Sequence, residues 1–213
     1  MTIPDDGENV ALFEPLMVPE GSPHRAELND LALDLAEKSA AFRSLLPDRV
    51  AAALADLVRS MNCYYSNLIE GHNTHPVDIE RALANDYSAD PKKRDLQLEA
   101  RAHIAVQKWI DEGNMTEPPT APATIIELHR RFCDLLPPEL LFVEEPATKE
   151  RLPVVPGELR TRYVEVGRHV AISPGAVPRF LTRMHEAYPM RGRIEPILAA
   201  ACGHHRLLWI HPF

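Results

Sequence analysis

The residues Ile210-His211-Pro212-Phe213 place a histidine directly before a proline at the close of an apolar, helix-patterned stretch. Proline biases the residue before it away from helical backbone, so the helix ends there and His211 stands at the mouth of a loop. An imidazole titrates near pH 6.5, which suits it to accepting a proton from a hydroxyl. Backed by Trp209 and Phe213, His211 has the makings of a general base. The same residues also describe an ordinary half-buried histidine bonded to main chain at a helix end, and most histidines are of that kind.

A second stretch carries Ser66, Glu70 and Gly71. Ser66 and Glu70 lie four apart and share one helix face. Glu70 falls in the last turn, just before Gly71, where the helix dipole disfavours a carboxylate by roughly 0.3–1 kcal/mol. A glutamate set against the local field invites a cationic partner or a ligand. A solvated carboxylate at a frayed helix end is the plainer explanation on these residues alone. His204, His205 and His211 do not add up to a metal site. His204 and His211 are seven apart, with no carboxylate or thiol beside them, which is not a zinc spacing. His72 and His75 beside Glu70 have no standard spacing either, and no metal ligands are assigned.

These groups must be positioned by a helical scaffold. The chain has 213 residues, 45% of them hydrophobic and 25% charged, as in an ordinary globular protein. Its formal net charge of -8 argues against DNA or RNA as a partner, since nonspecific binding needs a basic field. No apolar run approaches the ~20 residues that span a bilayer, so no membrane association is expected. The acidic N-terminus lacks the basic start and apolar core of a signal peptide. Cys63, Cys133 and Cys202 are odd in number and widely spaced, which reads as reduced, mostly buried thiols in a cytoplasmic protein. The 20 prolines cluster between helical segments and punctuate them.

Residues 1–21 read as an irregular N-terminal segment. Residues 22–113 read as an N-terminal helical region, and 114–213 as a core. Ser22-Pro23 is a helix start, followed by Leu28, Leu31, Leu35, Phe42 and Leu45 at helical spacing. A second helix over about 50–70 carries Val50, Leu54, Leu57, Met61, Tyr64 and Leu68, and Gly71 closes it. Further helices are expected over about 76–85, 92–112, 123–136, 176–188 and 194–210. Tyr64, Tyr65 and Trp109 read as core residues. Between them, 161–172 is rich in β-branched residues around Gly167, the pattern of a β-hairpin. The fold class is therefore all-α, a helical bundle with one small β-hairpin.

Together these stretches resemble the Fic family of protein adenylyltransferases. His211-Pro212-Phe213 matches the start of the family signature H-P-F-x-x-G-N-G-R-x-x-R, after a helix reading AAACGHHRLLWI. Ser66, Glu70 and Gly71 match the inhibitory-helix signature [S/T]-x-x-x-E-[G/N]. The segment PGELRTRYVEVGRHVAISP is similar to the family's Pro-Gly-x-x-Arg segment and the hairpin called the flap, and IIELHRRF to the helix before it. The resemblance covers about 25–213.

It implies a definite chemistry. His211 would take the proton of a Ser, Thr or Tyr hydroxyl on a target protein. The oxygen would attack the α-phosphate of ATP, transferring AMP and releasing pyrophosphate. Pro212 and Phe213 would scaffold the motif. ATP and Mg²⁺ would be the nucleotide and metal of the intact protein. Val164, Glu165, Val166, Gly167, Arg168, His169 and Val170 would form the flap that docks the target by strand addition. Glu70 would obstruct the nucleotide's γ-phosphate and hold the enzyme autoinhibited. The signature's Gly-Asn-Gly loop, its arginines and its metal carboxylate do not occur here, and no other phosphate loop replaces them. Arg160, Arg162, Arg168 and Arg206 are the cations at hand. The expectation is thus a sequence truncated inside its motif, inactive by itself, that binds neither ATP nor Mg²⁺ well. Leu181, Met184, Leu198 and Leu208 are then expected to be partly exposed, with self-association as a result. The alternative is a non-catalytic helical interaction protein, a degenerate relative of the family.

Overall fold

A computed structural model describes residues 2–69, 71–72, 74–145, 148–188, 192 and 194–213. The described residues form helices α1 (Arg25–Leu45), α2 (Asp48–Ile69), α3 (Pro76–Leu83), α4 (Pro91–Asp111) and α5 (Pro122–Asp134). Strands β1 (Phe142–Glu144), β2 (Arg151–Pro153), β3 (Glu165–Val166) and β4 (His169–Val170) follow, then α6 (Val177–Ala187) and α7 (Glu195–Ile210). The strands make two separate antiparallel hairpins, β1–β2 and β3–β4. The fold is therefore mainly α, as expected, with a second small hairpin in addition to the expected one.

The chain divides into two compact units. One comprises Met1–Leu45, Glu117–Ile126 and Glu158–Phe213; the other comprises Leu46–Thr116 and Glu127–Gly157. In the second unit α2, α3 and α4 pack around Cys63, Ile79, Ala100 and Ile104. Asp90 caps α4 by accepting from the Lys92 N–H (3.0 Å), with Pro91 at the first helical position. Buried Gln97 fixes the α3–α4 connection. Its Oε1 accepts from the Ser88 N–H (2.8 Å) and its Nε2 donates to the Asp78 carbonyl (3.0 Å).

The face α2 buries is not the expected stripe. Val50, Leu57 and Leu68 are exposed, whereas Arg59 and Cys63 are buried. Arg59 is matched by Asp111 at 2.6 Å and by Asp56, so its charge is paired rather than stranded. Tyr65 is likewise exposed, not core.

The first unit is built on α6 and α7. Val177, Phe180, Leu181 and Met184 from α6, and Tyr188 just after it, meet Ala199 and Ile210 from α7, with Ile125 and Ile172. The segment before α1 completes this core by inserting buried Phe13 and Leu16. Residues 4–17 form a strap, irregular except for a 3-10 turn at Val10–Phe13. Leu181, Met184 and Leu198 are consequently buried, contrary to expectation, and Leu208 is the one of the four that stays exposed (55%). Apolar exposure falls elsewhere. Leu31, Leu35, Phe42 and Leu45 of α1 all face solvent, because that helix packs on α7 through the side carrying Ala32. Helix α1 also begins later than Ser22-Pro23. Ser22 Oγ accepts from the His24 N–H (3.3 Å) and its carbonyl from the Arg25 N–H (3.0 Å), a turn that defers the helix to Arg25.

Candidate functional site: the histidine turn and the flap

Helix α7 stops at Ile210, and His211 is its C-cap with φ 50° and ψ 67°, a left-handed conformation. Pre-proline bias predicts an extended residue there. The left-handed turn instead lets the His211 N–H reach back to the Leu207 carbonyl (3.1 Å) and close the helix. A non-glycine residue in this region carries a cost of about 1 kcal/mol or more. The carbonyl of this residue is taken by Arg160.

Arg160 reaches into a ring of carbonyls. Its Nε donates to His211 (2.6 Å), Nη2 to Ile210 (3.2 Å) and Ile172 (2.6 Å), and Nη1 to Arg162 (2.8 Å). The Arg160 main-chain N–H adds a bond to the Pro212 carbonyl (3.0 Å). Sequence alone offers Arg160 as a free cation for phosphate. The structure corrects this, because its donors are committed to main chain. Arg206 is committed too, donating to the Pro15 carbonyl (2.5 Å) and lying over the Phe13 ring. Arg162 and Arg168 remain exposed beside and on the hairpin.

Pro212 is buried, Phe213 packs against the core, and the His211 side chain is half-buried. Trp209 sits among Phe13 (5.3 Å), Phe180 (5.7 Å) and His169 (5.9 Å), measured between ring centres. The aromatic backing read from the sequence therefore anchors the helix end.

The β3–β4 hairpin pairs Glu165 with Val170 and Val166 with His169, leaving Gly167-Arg168 as the turn. Gly167 has φ +63° and Arg168 has no positive φ, which excludes a type I′ turn and fits type II′. An Ala171 N–H to Val164 carbonyl bond (3.0 Å) extends the ladder. Glu165, Val166, Arg168 and Val170 are exposed and Val164 half-buried. Among the described residues the sheet has two strands, so each has an outer edge without a strand partner there. His169 points back from the hairpin: its Nε2 lies 2.8 Å from the Trp209 carbonyl and must carry the proton.

The base of the hairpin is gripped by the strap, which sequence reading left as an irregular segment. Glu8 accepts from both the N–H (2.6 Å) and Oγ (2.7 Å) of Ser173. Asp6 accepts from the Tyr163 hydroxyl (2.8 Å). Asp5 forms a two-pronged pair with Arg179 (2.5 and 2.8 Å), and Glu14 pairs with Arg183. Gly175 is required where strap and core meet, since an added Cβ would come within 2.6 Å of Asp5 Cβ. The signal for this was present as acids at 5, 6, 8 and 14 and arginines at 179 and 183, but nothing local relates residues so far apart.

In the second unit, His129 on α5 accepts the Gly157 N–H through Nδ1 (3.0 Å). Burial lowers the His129 pKa, which keeps the ring neutral and able to accept. Gly157 itself has φ +77° and would bring a Cβ to 3.0 Å from Arg130 Cβ. Ser66 is exposed on α2. Gly71, at φ +80°, closes that helix: its N–H donates to Leu68 (3.1 Å) and the His72 N–H to Asn67 (2.7 Å), a Schellman pattern. Glu70 lies outside the described residues.

The Fic/DOC family profile matches residues 118–213. Those residues are similar to the Fic/DOC family. The matched segment holds the β3–β4 flap, Arg160, α6, α7 and the histidine turn. The chain is also similar to curated proteins named Protein adenylyltransferase Fic. It is 28% identical over 154 residues to the one from Drosophila willistoni, and 27% identical over 152 residues to those from Drosophila grimshawi and Drosophila virilis. Each comparison takes in 70% of this chain, which spans about 28% of the length of those relatives.

Among the described residues no three His, Cys, Asp or Glu side chains stand together as a metal site. Arg160 and Arg206 both donate to main-chain carbonyls. Among the described residues no helix is long and apolar enough to cross a membrane.

Proposed function

We propose that the Fic/DOC segment belongs to a protein adenylyltransferase in which His211 is the general base. The hydroxyl of a target Ser, Thr or Tyr gives its proton to the imidazole. The freed oxygen bonds to the α-phosphorus of ATP while the bond to pyrophosphate breaks, leaving AMP on the protein. The observation that carries this reading is the half-buried histidine, held in a left-handed turn on the same side chain that ties down the flap. A base in a fixed position needs no reorganisation to meet its proton. Pro212 and Phe213 anchor that turn.

The flap residues Val164 to Val170 dock the target as an added strand, since main-chain bonds at an exposed edge tolerate varied side chains. ATP and Mg²⁺ need phosphate and metal groups that the described residues do not bring together, and a polypeptide of residues 1–213 alone transfers no AMP. Ser66, Glu70 and Gly71 mark the end of a regulatory helix, and Glu70 restrains the nucleotide's γ-phosphate.

The test compares this polypeptide with one extended by the family's Gly-Asn-Gly-Arg signature, each incubated with radiolabelled ATP and a panel of cytosolic proteins. Label transfer is expected from the extended chain only. His211→Ala should lower it by about 100-fold or more, the scale of general-base catalysis. Transfer by the 213-residue polypeptide, or full transfer by His211→Ala, rejects the reading. Glu70→Gly in the extended chain should raise transfer, and an unchanged rate rejects the restraint.

A further inference from the structure

We propose that Arg160 is the positioning residue for His211, fixing its backbone in the left-handed turn and binding that turn to both ends of the flap. Its catalytic meaning rests on the general-base reading above; its structural content does not. The guanidinium donates to His211 and Ile210 at the helix end, to Ile172 where the flap leaves, and to Arg162 where the flap arrives. One planar group thus serves carbonyls from three separate segments. Its main-chain N–H adds Pro212, so residues 210, 211 and 212 are all held through residue 160.

The arrangement suits arginine and no other residue. Five N–H donors in a rigid fork can serve several carbonyls at once, whereas a lysine ammonium is a compact charge on a flexible stem. Burial pushes the Arg160 pKa down without depriving it of charge, and a cation among carbonyl dipoles makes the stronger class of hydrogen bond. The flap carries its own second tether, from His169 to the Trp209 carbonyl. Target docking on the flap and placement of the base are in this way one event. A strand added at the flap is read at the histidine turn through Arg160.

The experiment needs no nucleotide. The 213-residue chain is labelled with ¹³C,¹⁵N-histidine, and the His211 signals are assigned by their loss in His211→Gln. Left-handed backbone and a hydrogen-bonded carbonyl each leave a mark on the Cα and carbonyl shifts. In Arg160→Ala, both His211 shifts should move and the signal should broaden. His185 serves as the internal standard; it lies on α6, where its ring meets Thr120 Oγ1 (3.1 Å). Arg160→Lys keeps the charge and should restore the fold but not the His211 shifts. If Arg160→Ala collapses every histidine to coil positions, the lysine variant decides: moved His211 with unmoved His185 supports the proposal. Parent-like His211 shifts in either folded variant overturn it, whether or not the extended chain transfers AMP.

Discussion

A buried hydroxyl and the carbonyl it serves lose more than one bond's worth of energy when parted, since the carbonyl left behind finds no water. Tyr188 is such a case. It is buried just past the end of α6, and its hydroxyl donates to the Leu16 carbonyl of the strap (2.6 Å). Burial pushes the phenol up to about 12, so it remains a donor at any ordinary pH. Tyr188→Phe should destabilise the chain by roughly 1–2 kcal/mol in urea melts, the orphaned carbonyl accounting for most of it. A loss within error would mean that the strap moves to rescue the carbonyl. At this scale the helix end at His211 was legible from its proline. Arg160 was not. A sequence displays a charge, but not the carbonyls that three distant segments bring around it.

Turns decide where elements point, and two glycines allow that statement to be measured. Gly157 and Gly113 have nearly the same φ, +77° and +79°. A methyl group at Gly113 meets nothing within 4 Å, whereas one at Gly157 comes to 3.0 Å from Arg130 Cβ. Gly113→Ala should therefore lower stability by about 1 kcal/mol through backbone strain alone. Gly157→Ala should cost measurably more, and equal losses in thermal melts would remove the packing argument. Periodicity identified the helices well, but the α6 residues Leu181 and Met184, expected to be partly exposed, are buried. For α1 and α2 it found an apolar stripe and wrongly took it to be the covered one. Spacing reveals which side chains share a face, and only tertiary packing settles which face is used. The β1–β2 hairpin escaped notice because its three-residue strands are too short for alternation to register.

Across the whole molecule, acids near the start are matched to arginines near the end. Hydrogen bonds from Arg179 hold the Asp5 carboxyl at about 2 instead of the ordinary 3.8. Its folded pKa is depressed, so the stabilisation it lends is complete above the ordinary value and disappears as pH falls through about 2. Release of the strap can be followed by Trp209, whose ring rests 5.3 Å from that of Phe13. In a Trp109→Phe background, tryptophan emission should change between pH 4 and 2, and Arg179→Ala should move that change toward the ordinary carboxylate range. An acid transition indifferent to Arg179 would dissociate the strap from this pair.

The strap also constrains the order of assembly. Asp5 and Arg179 are separated by 174 positions, and Glu8 and Ser173 by 165. During synthesis at the ribosome, Phe13 and Leu16 must wait, apolar and unclaimed, until α6 and α7 have emerged. Contacts of such long sequence separation are slow to form, since their loop entropy is spent before any reward arrives. The first unit therefore closes last along the very edge where the flap is rooted, and a chaperone that shields residues 10–17 should hasten its maturation more than one acting on the locally connected α2–α4 unit.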